Sequence, residues 1–319
     1  MLSEINSNQP LEIKSFKPQE NEAVNPRKAG QKIKKELKEF KKQCSSIEFN
    51  PLCSRENYLG NYDNYLKTAL SHISALRKIN LDLALLNKNI YEGVPDLANK
   101  LQKGRKVLLL DLDETLIHSD FSLEYINDKD IKYDKIIKFK EKENEFEENY
   151  EDYDMRRKKI RNSLFNEEKE YKVGIFVRNG AKTFLTEVSK YFDVGIFTAS
   201  VKEYADAVID FLDPNKNLIE FRLYRNNCIN INDKFFIKDL RIIQGVDIKD
   251  IILLYNSIYS FTAQLNNGIL VNSFFNDKND IELFNVYEYL INYLLKADDV
   301  RTINEQFFNF EKLLNDLSL

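Results

Sequence analysis

The chain has 319 residues, 43% of them hydrophobic, with 47 basic against 51 acidic side chains and a formal net charge of −4. That length and apolar share sustain a sizeable core in one large or two modest domains, and the near balance of charge excludes a global electrostatic attraction to nucleic acid or a membrane surface. Three scattered cysteines, Cys44, Cys53 and Cys228, offer neither a disulfide framework nor a metal-ligand spacing and fit a reducing compartment.

The amino terminus lacks a basic stretch followed by an apolar one, and no segment approaches the length of a membrane span. A soluble, cytoplasmic protein is expected, with nuclear or cytoskeletal association left open. Residues 1–26 are polar, hold Pro10, Pro18 and Pro26, and show neither a helical nor a strand period, so 1–30 reads as a disordered tail. Residues 27–43 are strongly basic, with Ile33, Leu37 and Phe40 on one face of a short helix, an arm that is either solvated or offered to an acidic partner surface. From Tyr62 to Ile90, apolar residues recur at Leu66, Ala69, Ile73, Leu76, Leu83 and Ile90, with Ile79 and Leu86 flanking. Such a stripe folds back on the domain that follows, or forms a coiled coil or docks on a partner. Residues 31–103 are therefore a helical amino-terminal extension.

From residue 107 strand and helix alternate. Strands are expected at 107–111, 193–198, 250–255 and 268–274. Ala181, Phe184, Leu185, Val188 and Phe192 mark one helix, and Val201, Tyr204, Ala205, Val208, Ile209 and Leu212 another, with Ser200 to Glu203 resembling its capping box. The fold class is α/β, a doubly wound parallel sheet. Residues 140–170 interrupt it with an acidic run followed by a basic one, an exposed flap or disordered insertion before a binding surface. A long helix follows at 280–296. A second amphipathic segment through Val300, Ile303, Phe307, Phe310 and Leu314 closes the chain, its helix assigned to 301–319.

The first strand carries the chemistry. Residues 107–119 read Val-Leu-Leu-Leu-Asp-Leu-Asp-Glu-Thr-Leu-Ile-His-Ser, an apolar run ending in two carboxylates one residue apart. Open α/β sheets place ligands at the carboxyl ends of their strands, and alternation points Asp111 and Asp113 the same way. Two converging carboxylates repel unless one is protonated or a cation sits between them, so the spacing points to phosphoryl transfer with a hard divalent ion, Mg²⁺. The bare pair reads equally as a strand running into an acidic turn, and the rest of the chain decides between them. The other strand ends add Thr198 and Asn256, and Lys238 lies on a loop between them.

DLDETLIHS at 111, VRNG at 177, FTAS at 197, KEYAD at 202, FLDP at 211, RLYRNNC at 222, KDL at 238 and SFTAQLNNGI at 260 follow in order. With these motifs residues 104–300 resemble the small C-terminal-domain phosphatase (FCP/SCP, or nuclear LIM interactor-interacting factor-like) family of the haloacid dehalogenase superfamily. The resemblance implies a Rossmann-like phosphatase domain in which Asp111 is the nucleophile, Asp113 the acid and base, and Thr198 and Lys238 hold the phosphoryl oxygens. It implies Mg²⁺ on Asp111, the Asp113 main-chain carbonyl and Asn256. Arg225 matches a substrate-side arginine, Phe121, Val201 and Tyr204 match an apolar pocket beside the phosphosite, and Arg178 matches a structural arginine. His118 is expected to pack or hydrogen-bond.

Two departures stand out. Where the family reads Val-Asp-Asn this chain reads Leu254-Tyr255-Asn256, so Lys238 loses its carboxylate partner and the metal site an outer-shell anion, a change that typically matters by about 10- to 100-fold. Asn179 replaces a proline and is expected to cap the helix after it. Tyr255 favours a binding or scaffold component with weak or no phosphatase activity. The retained set favours instead a Mg²⁺-dependent phosphoserine or phosphothreonine phosphatase. Either way the implied partner is a phosphoprotein or protein assembly, without nucleic acid or membrane, and the basic arm and helix are candidate docking elements.

Overall fold

The computed structural model describes residues 35–43, 62–78, 90–91, 94, 97, 101, 104–124, 131–141 and 169–317. The chain divides into two compact units, Met1–Glu39 and Phe40–Leu319. Of the first only the helical residues 35–39 are described, and everything below concerns the second.

Five parallel strands form the central sheet: β1 (Val107–Leu110), β5 (Asp193–Phe197), β6 (Phe221–Leu223), β9 (Ile251–Tyr255) and β10 (Gly268–Leu270), in the order β10-β9-β1-β5-β6. β1, β5 and β9 are buried along their whole length, which is why their sequences are nearly continuous apolar runs rather than alternating ones. The chain winds from central β1 out to β5 and β6 and then returns to β9 and β10 on the other side, the doubly wound order expected. Helices α2 (Ala181–Val188) and α3 (Lys202–Leu212) bury the residues their spacing selected: Ala181, Phe184, Leu185 and Val188 in the first, Tyr204, Ala205, Val208, Ile209 and Leu212 in the second. Gly195 keeps β5 flush with its neighbours, since a Cβ there would lie 2.5 Å from the Phe221 ring and 2.9 Å from Leu109.

Two smaller sheets escape the sequence reading. β2 (Ile117–Asp120), β4 (Lys169–Val177) and β3 (Lys135–Glu141) form an antiparallel sheet in the order β2-β4-β3, with β3 against α3. Residues 140–141 and 169–170 therefore belong to paired strands, Lys140 opposite Glu170 and Glu141 opposite Lys169, rather than to the insertion. The remaining insertion residues, 142–168, lie outside the described residues. A hairpin of β7 (Ile229–Ile231) and β8 (Phe235–Ile237) turns through Asn232 and Asp233 at φ 53 and 54, a left-handed region these two residue types tolerate, and β8 runs directly into Lys238.

The carboxyl-terminal half corrects several bounds. The strand expected at 268–274 ends at Leu270, and the helix expected at 280–296 is α4 (Glu282–Tyr289) continued by a π-helical turn, Leu290–Leu294. The closing segment is two helices, α5 (Val300–Phe308) and α6 (Phe310–Leu317), parted at Asn309 with φ 58.

Helix α1 (Tyr62–Lys78) folds back on the domain. Leu66, Ala69, Leu70 and Ile73 are buried in the same core as the sheet and Leu76 is buried too, so the apolar face that was a candidate for a partner is covered by the protein's own α6 and the turn at 258–261. Leu83, Leu86 and Ile79 lie outside the described residues. Phe40, from the basic arm, is buried against Phe284 and Tyr287 with ring centroids 4.7 and 5.3 Å away, and Lys41 pairs with Glu187 at 3.0 Å. Among the described residues no helix is long and apolar enough to cross a membrane.

Candidate active site

Asp111, Thr198 and Asn256 each follow the last residue of a central strand, β1, β5 and β9, and Lys238 follows β8. The sheet fixes the first two through the backbone: Asp111 N–H donates to Leu254 O at 3.2 Å and Thr198 N–H to Leu223 O at 2.9 Å. Asp111 is 8% exposed. Burial pushes its carboxyl up to about 7, the Lys238 ammonium pulling down and the Asp113 carboxylate pushing further up. The Thr198 hydroxyl oxygen accepts from Ser200 N–H at 3.0 Å, leaving its proton to point elsewhere.

Asp113 is held by three hydroxyls. Ser119 Oγ donates to one carboxylate oxygen at 3.1 Å, Tyr204 Oη to the same oxygen at 2.5 Å, and Ser200 Oγ to the other at 2.6 Å. Two expectations change here. Ser200 does not cap α3, whose first cap is Val201 without a side-chain bond, because its hydroxyl is drawn to Asp113 instead. Tyr204 lines the apolar pocket with its ring, 5.8 Å from Phe121 and 5.5 Å from Phe139, but spends its hydroxyl on the carboxylate. Burial, reinforced by Asp113, holds that phenol well above its usual pKa.

Lys238 is buried and gripped at both ends by Ser260. Its N–H donates to Ser260 O at 2.7 Å and its ammonium to Ser260 Oγ at 3.0 Å. The ammonium also lies 4.7 Å from the centroid of the Tyr255 ring. Leu110 pairs with Ile196 on one side and Leu254 on the other, so Asp111, Phe197 and Tyr255 stand level one residue on. Tyr255 spans that row: it starts on β9, and its hydroxyl donates to the Phe197 carbonyl at the end of β5. It is fully buried, its phenol raised far above normal by burial and by Asp111. The ring is thus not turned away from the lysine but forms its neighbour. Cys228, also buried, has its thiol pushed up to about 12, against the pull of Lys238.

The remaining expected residues surround this centre. Phe121 is 41% exposed beside Tyr204, and Val201 is half-buried at the start of α3. Arg225 donates through Nε to Ala199 O at 2.7 Å with its guanidinium 5.3 Å from the Phe236 ring, so it props the turn carrying Thr198 and Ser200. Arg178 is buried and structural: it forks onto Asp280 at 2.8 and 2.7 Å and donates to Thr115 O at 3.0 Å and Asn272 O at 2.8 Å. Asn179 does not cap α2. Gly180, at φ 78, occupies that position, and Asn179 donates to Asp280 O at 3.2 Å. His118 packs as expected, 6.3 Å from the Phe176 ring and 3.2 Å from Glu114. The sequence assigns no role in the site to Ser119 and Ser260 and offers Ser200 only as a helix cap, although all three fall within quoted motifs.

The residues suit a hard cation. Asn256 Nδ2 donates to Ser273 Oγ at 3.1 Å, which orients the amide and leaves its oxygen without a hydrogen bond among the described residues. Together with the Asp111 carboxylate and the Asp113 main-chain carbonyl this is an all-oxygen set of the kind Mg²⁺ completes with water. It holds a single side-chain carboxylate, in keeping with the lack, among the described residues, of any group of three acidic, histidine or cysteine side chains placed around one ion.

The description of NLI interacting factor-like phosphatases matches residues 106–301, well over half the chain. The chain belongs to that family. Among its relatives, CTD small phosphatase-like protein 3 of Caenorhabditis elegans is 41% identical over 42% of this chain and 46% of its own. A probable C-terminal domain small phosphatase of Dictyostelium discoideum is 32% identical over 72% of this chain and 62% of its own. The chain thus spans less than two thirds of the length of either relative. A solved chain, the fission yeast RNA polymerase II CTD phosphatase Fcp1, is 18% identical at a TM-score of 0.40, over 67% of this chain and 52% of its own.

Proposed function

We propose that this family member recognises phosphorylated serine or threonine in an extended protein segment and hydrolyses it slowly, so that binding outweighs turnover. Tyr255 carries the reading. Its ring, not a carboxylate, faces the Lys238 ammonium. A desolvated cation over a ring gains about 2 kcal/mol, which keeps the lysine in place but adds no full negative charge beside a metal. The cleft therefore retains attraction for a phosphate dianion while its hold on a divalent cation weakens.

Asp111 would attack phosphorus, forming an aspartyl-phosphate as the seryl or threonyl oxygen leaves, and Asp113 would give that oxygen a proton and later take one from the hydrolytic water. Asp113 Oδ1 accepts from Ser119 and Tyr204 and Oδ2 from Ser200 alone, so Oδ2 is the oxygen with acceptor capacity left for substrate. The Thr198 hydroxyl and Lys238 ammonium would take the phosphoryl oxygens, where charge builds. Bound Mg²⁺, on Asp111, the Asp113 carbonyl and Asn256, would neutralise charge between nucleophile and phosphate.

A fully active phosphatase is the second reading, favoured by one observation: Asp111, Thr198, Asn256 and Lys238 all stand at strand ends, with Asp111 still reachable from solvent. Phosphoserine peptide binding and phosphate release, measured for the parent and for Asp111→Asn, separate the two. The expected parent retains phosphopeptide over unphosphorylated peptide and releases phosphate slowly, and Asp111→Asn retains it and releases none. Parent turnover of roughly 1 s⁻¹ or faster supports the second reading. Equal affinity for both peptides removes the first.

A further inference from the structure

Lys238 is the one phosphate-side group that does not leave a central strand. Its position depends on Ser260, which accepts from both its backbone N–H and its ammonium. Ser260 in turn sits in a 3-10 turn, Ile258–Phe261, that packs against β9 and β10 of the central sheet and against β8. The turn is also held by an element outside the family domain, which spans 106–301.

Helix α1 reaches it at two points. His72 Nδ1 lies 3.0 Å from Tyr259 Oη, with the two rings stacked 6.2 Å apart, and Arg77 Nε donates to Thr262 O at 2.7 Å. Tyr259 and Thr262 flank Ser260 on either side, and they are tied to each other through Thr262 Oγ1 donating to Tyr259 O at 2.8 Å. Arg77 is itself locked by a bidentate fork on Glu311 of α6, 2.8 Å at each nitrogen, and α6 too lies beyond the family domain. Tyr259 closes the loop from the other side, its ring 4.9 Å from Phe235, at the start of the strand that delivers Lys238. A fork of this kind leaves a guanidinium no freedom to drift, and a charged donor on a main-chain carbonyl is among the stronger hydrogen bonds available.

We infer that α1 and α6 form a brace for the phosphate-binding lysine, with Arg77 as the positioning residue and the turn at 258–262 as the element through which it acts. The inference rests on the reading of Lys238 as a phosphate ligand. Its structural half, the rigidity of the turn, is independent of that reading. The extension is then a working part of the active site rather than only a handle for other proteins, and removing it loosens the cleft.

The test uses the full chain with Arg77→Met, the milder Arg77→Lys and Glu311→Gln, and Lys238→Met, each alone and Arg77→Met together with Lys238→Met. Inorganic phosphate affinity is measured by calorimetry and the protection of residues 257–262 by hydrogen exchange. Arg77→Met is expected to weaken phosphate binding on the order of tenfold and to speed exchange at 257–262, with Arg77→Lys and Glu311→Gln between it and the parent. Since Arg77 acts through Lys238, adding Arg77→Met to Lys238→Met should weaken phosphate no further. Unchanged protection at 257–262 in Arg77→Met overturns the brace whatever the phosphate result, as does an independent loss in the double variant. Phosphate binding that survives Lys238→Met at parental strength strikes at the proposed function instead, and the exchange data then decide the brace alone.

Discussion

Replacing Tyr255 by aspartate tests whether the missing anion limits turnover. The change removes a fully buried ring, a hydroxyl donating to the Phe197 carbonyl and the face beneath the Lys238 ammonium. Losing a buried aromatic costs about 3–5 kcal/mol and its hydrogen bond about 1 more, while the new carboxylate regains part of this through Lys238. A net loss of about 3 kcal/mol lowers the melting midpoint by roughly 6–12 °C for a domain of this size. Activity should move the other way. Restoring an outer-shell anion is worth about 10- to 100-fold, or roughly 1.4–2.7 kcal/mol of barrier. The assay is hydrolysis of an aryl phosphate with Mg²⁺ titrated, at a temperature where the variant is folded, beside Tyr255→Phe and Tyr255→Leu. Tyr255→Phe keeps the ring under the ammonium and should stay within about twofold of the parent. The argument fails if the parent turns over at ordinary rates and Tyr255→Asp slows it. An equal gain from Tyr255→Leu would assign the effect to bulk rather than charge.

Ser260→Ala and Tyr255→Leu each remove a group against the Lys238 ammonium and should together cost more than their sum by about 0.5–3 kcal/mol in denaturant unfolding, because the double variant strips the buried cation of both its hydroxyl acceptor and its ring; simple additivity refutes the shared role. Arg178→Lys should lose about 3–5 kcal/mol, nearly as much as Arg178→Met, since a lysine reproduces neither the fork on Asp280 nor the bonds to Thr115 O and Asn272 O; near-parental stability of Arg178→Lys counts against that network. Asp206 lies with Lys202, Arg222 and Tyr224, and its carboxyl, despite partial burial, is held below the usual range by their hydrogen bonds. Its folded pKa being depressed, the stabilisation is full above the unfolded value of about 3.9 and is lost as pH falls through the folded one. Asp206→Asn should therefore unfold in acid with a shallower dependence on pH in that window, and an unchanged acid limb would contradict it.

The central sheet was legible because burial on both faces writes itself as unbroken apolar runs, and β1, β5 and β9 each end where a polar residue appears. β3 was not, because its alternation carries lysines on the exposed side and runs straight into the charged insertion. β2 is four residues long with only Ile117 fully buried, too short to declare a period. The break at Asn309 was hidden for a different reason: apolar spacing continues across it, and only the left-handed backbone reveals two helices. That Asp111, Thr198 and Asn256 stand at strand ends could be read in advance because each closes a predictable strand, and Lys238 stood out by its matched motif. The serines could not. Ser200 satisfies the pattern of a helix cap, and only the distance to Asp113 shows that its hydroxyl has gone elsewhere.

The supports of the site are unequal. Asp111 and Thr198 inherit their positions from backbone hydrogen bonds in the sheet, which no side-chain substitution nearby can easily move. Lys238 inherits its position from a hairpin, a serine, a ring and a brace lying outside the family domain. A long flexible side chain with a buried charge requires outside contacts to stay in one rotamer, and each contact contributes only a modest share. Under the proposed function, changes in those contacts would alter how firmly phosphate is gripped without displacing the nucleophile. Under the proposed function Tyr255 and Arg77 would both act there, so the lysine, rather than the aspartate pair, is where turnover would be traded for binding.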